Sequence, residues 1–172
     1  FKLQNPLSEE YEYMRPSLIP SLLQNLDYNR GTVIPPVNIF ELSNIYQKSK
    51  KSDLADETAT LTFASIGSNF RSFKGFVDTL LSHLHTDWQL DPNDSADTPF
   101  DPKKSGIITI HHTPIGLMGY IKTSVAKSFH LSDDVLICEL NFHLLSQFAS
   151  LIHRFTPTPT NPPVIDDLTF TL

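Results

Sequence analysis

The sequence predicts an α+β fold, a mainly antiparallel sheet with helices packed on it. Three observations lead there. Two segments, near residues 18–29 and 69–84, carry apolar side chains at helical spacing. Several other segments have strand composition and alternate with a period of two. The connections between successive strands are polar and turn-like, which suits antiparallel neighbours.

The first helix begins in a proline-rich setting. Residues 5–26 read NPLSEEYEYMRPSLIPSLLQNL. With Ser17 as N-cap, Leu18, Ile19 and Pro20 fill the first turn, where backbone N–H groups have no intrahelical acceptor. Pro20 therefore costs nothing there, and Pro16 keeps Arg15 extended. Leu18, Ile19, Leu22, Leu23 and Leu26 form one wide apolar face, and Gly31 is the expected stop.

Strands follow. Residues 37–46 (VNIFELSNIY) place Phe40, Leu42 and Tyr46 on one face and Ile39 and Ile45 on the other. The charged stretch 48–57 reads as a turn, and residues 58–66 (TATLTFASI) form the returning strand, with Leu61 and Phe63 sharing a face. Ser68 or Asn69 caps the second helix, whose stripe is Phe73, Phe76, Val77, Leu80, Leu81 and Leu84. A polar stretch over 91–104 contains the turn signal Asp91-Pro92-Asn93-Asp94. Further strands are expected at 106–112, 115–122 and 134–142, the first two split by Thr113-Pro114. In the last of them Leu136, Cys138, Leu140 and Phe142 point one way. Short helices are expected at 124–130 and 144–152. Residues 154–163 read as a proline-rich connector with extended character, and 164–172 start to look like another strand.

Bulk properties narrow the function classes. The chain has 172 residues, 40% hydrophobic and 19% charged, with a net charge of −6. That acidity argues against a surface built mainly to grip phosphates. No apolar run is long enough to span a bilayer and no signal-peptide pattern is present, so no membrane contact is expected. A single cysteine, Cys138, points to a reducing, cytoplasmic compartment. Because the chain opens at Phe1, it reads as a piece of a longer protein.

Chemistry-bearing constellations are scarce. His83 and His85 point to different sides of a helix end, and His111 and His112 sit adjacent on an expected strand. None has the spacing of a zinc site, so no metal ligands are assigned. Cys138 reads as a buried inert thiol and Ser68 as a turn residue or cap. Gly116-Leu117-Met118-Gly119 lacks the ending of a P-loop, and its glycines suit a bulge or close strand packing. The lysines at 48, 50 and 51 suit a solvated hairpin tip. The acidic pairs Glu9-Glu10, Asp133-Asp134 and Asp166-Asp167 lie near element ends. No catalytic and no cofactor-binding residue is assigned.

A resemblance adds specificity. Asn5-Pro6-Leu7-Ser8, then Met14-Arg15-Pro16-Ser17-Leu18-Ile19-Pro20-Ser21-Leu22-Leu23, resembles the "NPLS … MR-x-SLLPGLL" segment of the β subunits of bacterial phenylalanyl-tRNA synthetases. In the same order, Ile39 to Tyr46 is similar to "IFEIGNVY" and Phe73 to Leu81 to "D-x-KG-x-VE-x-LL". Ile115 to Tyr120 is similar to "IG-x-IGEL", Cys138 to Asn141 to "x-E-x-D", and Pro163 to Phe170 to "P-x-V-x-RDLSF". The departures are Asp101 to Gly106 in place of "HPGRSA", Gly119 to Thr123 in place of "GELHP", and Asp166 in place of arginine.

The resemblance implies a class II aminoacyl-tRNA synthetase-like antiparallel sheet flanked by helices over residues 1–153, with 154–172 as a proline-rich linker and first strand entering a ferredoxin-like, anticodon-binding domain. It implies membership of an enzyme that joins phenylalanine to its tRNA, with ATP and Mg2+ used by the whole assembly and none held in this part. The implied partners are the catalytic α subunit, in a two-plus-two heterotetramer, and tRNA through the whole complex. A working class II site needs an arginine on its motif 2 strand and another on the motif 3 strand-helix. The strands at 37–46, 58–66, 116–122 and 134–142 contain none, so this domain is expected to be catalytically inert. Met14, Leu18, Leu22, Leu23 and Leu26 are then core positions or a candidate subunit interface. The alternative is a free-standing synthetase-like paralogue that binds a nucleotide or an amino acid.

Overall fold

A computed structural model describes residues 2–8, 12–49, 54–131, 134–150 and 152. Helix α1 (Ile19–Arg30) precedes the hairpin of β1 (Val37–Lys48) and β2 (Ala55–Ile66). Helix α2 (Phe70–His83) leads to β3 (Trp88–Pro92), β4 (Phe100–Ile110) and β5 (Thr113–Ile121). Helix α3 (Thr123–Ser128), strand β6 (Val135–Asn141) and helix α4 (Phe142–Phe148) complete the described elements. The six strands form one antiparallel sheet in the order β1-β2-β6-β5-β4-β3.

Helices cover both faces of this sheet. On one side the leucines of α1 pack with Val37, Ala64, Ile66, Val135 and Ile137, joined by Ala126 of α3. On the other, Phe73, Val77 and Leu81 of α2 and Leu145 of α4 pack on Leu61, Ile108, Met118, Leu136, Cys138 and Leu140. Strand β6 feeds both layers, because alternate residues point to opposite faces. That explains its unbroken apolar run, buried from Val135 through Cys138.

Several local expectations hold. Asn69 caps α2, its side-chain oxygen accepting from Ser72 N–H at 2.9 Å. Leu136, Cys138 and Leu140 share a buried face, with Phe142 packed against it. Glycines 116 and 119 permit close strand packing. A Cβ at Gly116 would collide with the Glu139 carbonyl oxygen, and one at Gly119 with the Lys104 carbonyl.

Other expectations are corrected. The stretch 91–104 is not simply a turn: Asp91 and Pro92 end β3, and β4 already begins at Phe100. Pro92 closes an edge strand, and Pro102 lies where β4 runs past β3, positions that need no ladder N–H. His111 and His112 are not strand residues. They form the two-residue turn between β4 and β5, with φ of 47° and 63°. Positive φ at both positions matches the twist of a tight hairpin. The divider is thus His111-His112, and Pro114 lies inside β5 beside a register shift. The last helix runs over Phe142–Phe148 rather than 144–152. The stripe of α2 is narrower than expected, since Phe76 is exposed. The proposed boundary at residue 153, the linker beyond it, Lys50, Lys51, Glu9, Glu10, Asp133, Asp166 and Asp167 lie outside the described residues.

Candidate functional site

The start of α1 departs from a simple Ser17 cap. The helix begins at Ile19, and Leu18 occupies the cap position without a side-chain bond of its own. Ser17 Oγ accepts from Ile19 N–H at 3.1 Å and donates to Glu139 Oε1 at 2.8 Å. The Leu18 N–H donates to the same Oε1 at 3.2 Å. Two free donors at the helix start are therefore satisfied by a serine beside them and a carboxylate on β6. A negative group is also favoured there by the helix dipole.

Arg15 anchors the preceding segment. Its backbone carbonyl accepts from Tyr46 N–H at 2.9 Å, laying the segment along β1. Its guanidinium pairs with Glu41 at 2.7 Å and donates to Asn44 O at 3.3 Å and to Ser43 Oγ. Glu41, Thr62, Glu139 and Leu117 stand in register across β1, β2, β6 and β5. Arg15 and Ser17 thus tie the segment to two carboxylates of one cross-sheet row. Thr62 Oγ1, buried between them, has no hydrogen-bond partner among the described residues.

Two recesses flank this row. One, of about 570 Å³, is lined by Tyr13, Met14, Pro16, Tyr46, Gln47 and Lys48. The other, of about 220 Å³, lies over β1, β2, β6 and β5 beside Glu139 and Asn141. Glu139 is the one charged group among its lining residues, and β1, β2, β5 and β6 as whole strands carry Glu41, Asp56, Glu57 and Glu139 against Lys48. No arginine stands on any of them, and the guanidinium nearest the row is already spent on Glu41. Such a surface does not fit a triphosphate, whose charge needs fixed cations. Among the described residues no group of three or more His, Cys, Asp or Glu could hold a metal ion.

The sequence-derived interface residues divide. Leu18, Leu22, Leu23 and Leu26 are at most 2% exposed, inside the chain's own core. They touch the sheet of this chain and present no surface to a partner. Met14 alone stays partly exposed, on the wall of the larger recess. Cys138 is buried, and desolvation, with the Glu139 charge beside it, pushes its thiol far above the usual range. Arg15 and Glu139 both stand in the motifs quoted above, but their roles as anchors depend on contacts that sequence spacing does not display.

The model of the phenylalanyl tRNA synthetase beta chain CLM domain matches residues 1–142. The chain belongs to this family. Relatives of this CLM-domain chain include the phenylalanine–tRNA ligase beta subunits of Clostridium acetobutylicum and Desulfotalea psychrophila. The first is 24% identical over 169 residues, covering 97% of this chain and 21% of the relative. The second is 29% identical over 191 residues, covering 96% and 23%. The chain thus spans about a fifth of the length of these curated relatives. In fold, the CLM-domain chain is similar to a pyrrolysyl-tRNA synthetase from Desulfitobacterium hafniense, with a TM-score of 0.60 at 14% identity. That likeness covers 77% of this chain and 48% of the other, and places the sheet and its helices in the class II synthetase architecture. Among the described residues no helix is long and apolar enough to cross a membrane.

Proposed function

We propose that the chain is a non-catalytic assembly module of a cytoplasmic phenylalanine–tRNA ligase beta subunit. The whole enzyme would use ATP and Mg2+ to activate phenylalanine and charge tRNA, in a two-plus-two assembly with a catalytic alpha subunit. The observation that carries this reading is the arginine-free, carboxylate-bearing floor of β1, β2, β6 and β5. A sheet of synthetase architecture without fixed cations can hold a neighbour, but it does not stabilise a phosphoryl leaving group.

The contact surface must lie outside the leucine core. Phe40, Leu42 and Phe76 are 70%, 50% and 56% exposed, and Phe40 and Phe76 line one apolar groove with Phe63 and Phe73. Exposed apolar groups in one patch suit a protein neighbour. Met14 is the second contact point, with the four leucines supporting the backbone behind it. Ultracentrifugation of the chain mixed with the alpha subunit tests the reading. Phe40→Asp with Phe76→Asp, or Met14→Asp, should weaken association while the circular dichroism spectrum stays native. Unchanged association in all of them would overturn the assembly role. Calorimetric titration with ATP and phenylalanine should show no heat, whereas tight ATP binding would favour the free-standing, nucleotide-binding alternative.

A further inference from the structure

The smaller recess divides by chemistry. Ile45 and Leu117 give it apolar walls, Thr58, Thr60 and Asn141 add neutral polar groups, and Glu139 supplies the charge. Glu139 Oε1 takes both hydrogen bonds from the start of α1. No cation pairs with this carboxylate among the described residues, because Arg15 is committed to Glu41. Across the strand from Glu139, Thr62 Oγ1 is also without a partner. Thr62 lies in the same row without lining the recess, so the unfilled capacity open to a ligand there is the second carboxylate oxygen of Glu139.

Charge and size select the ligand class. An anion would meet the Glu139 carboxylate, the one charged group among the lining residues. A primary ammonium brings three donors, which the second carboxylate oxygen and the neighbouring hydroxyl and amide oxygens can accept. A volume of about 220 Å³ accommodates a compact hydrocarbon body but not a nucleotide. We propose that this recess binds a compact primary amine, its ammonium on Glu139 and its body against Ile45 and Leu117. The site is separate from Phe40 and Phe76, so it stands or falls independently of the assembly role.

The test is an NMR titration of the isotope-labelled 172-residue chain with phenethylamine, and with phenylacetate as a probe of similar body and opposite charge. Phenethylamine should give saturable amide shifts at Thr60, Leu117, Glu139 and Asn141, and phenylacetate none. Glu139→Gln retains an oxygen for Ser17 and Leu18, so the fold should persist while amine affinity falls at least tenfold. Gln47→Glu, which adds a carboxylate at the rim of the recess, should tighten binding several-fold. The proposal is overturned if phenethylamine gives no saturable shifts there or phenylacetate binds equally well. It is equally overturned if folded Glu139→Gln binds as the parent does, or if Gln47→Glu leaves binding unchanged.

Discussion

Every non-glycine residue with positive φ among those described is a histidine: His85, His111, His112 and His130. His130 follows α3 with φ of 60°, where Leu131 N–H reaches back to Ala126 O, a helix ending that ordinarily favours glycine. An L side chain in that conformation costs roughly 1–2 kcal/mol, while glycine returns part of the gain through its freer unfolded state. His130→Gly should therefore raise stability by about 0.5–1 kcal/mol in urea denaturation. Glu139 is the opposite case. Glu139→Ala strips the start of α1 of its acceptor, and should cost about 1–3 kcal/mol, whereas Glu139→Gln should cost much less. Sequence reading anticipated Asn69 as a cap because its partner is three residues away. It could not anticipate Glu139, whose partner Leu18 is 121 residues away.

Among the elements, α1 was legible because its apolar residues recur at a strict helical period. What its stripe touches was not, since an apolar face looks the same whether it meets its own sheet or another chain. The burial of the leucines decides this with a simple contrast. Leu22→Ala should cost about 2–5 kcal/mol in chemical denaturation, because it opens a cavity in the core. Phe40→Ser, on the outer face of β1, should stay within about 0.5 kcal/mol. Strand β3 escaped notice for another reason. Its five residues end in Asp91-Pro92, and turn chemistry at an edge outweighs a short alternation. The β4–β5 turn was displaced for a similar reason, because histidine is an unusual occupant of positive φ while Thr-Pro looks like a divider.

For the whole molecule, the two-sided core makes Cys138 a reporter of global opening. The native thiol should resist an aqueous thiol reagent until denaturant unfolds the chain. Its raised folded pKa also sets a pH dependence. The contribution is intact below the unfolded thiol pKa of about 8.5 and declines as pH rises above it, since the unfolded state then releases a proton the folded state keeps. Stability should fall by up to about 1.4 kcal/mol per pH unit in that range, and Cys138→Ala should flatten the slope. The α+β class, the antiparallel arrangement and the synthetase likeness were all legible, because each rests on local pattern or residue order. The functional surface was less so. The missing arginines can be counted in the sequence, but only the strand order shows that they are missing from one continuous floor.

That strand order also governs the timing of folding. In the sheet, β6 stands between β2 and β5, yet among the described strands it is the last to be made. While the chain emerges from a ribosome, β1–β2 and β3–β4–β5 can each zip locally, but neither can find the other. The start of α1 waits as well, its Leu18 N–H and Ser17 hydroxyl open until Glu139 arrives. Closure is thus a late, long-range event, of the kind that slows folding and leaves sheet edges exposed in the interval. A nascent chain halted before Val135 would hold two half-sheets and a helix start without its carboxylate, a natural client for a chaperone.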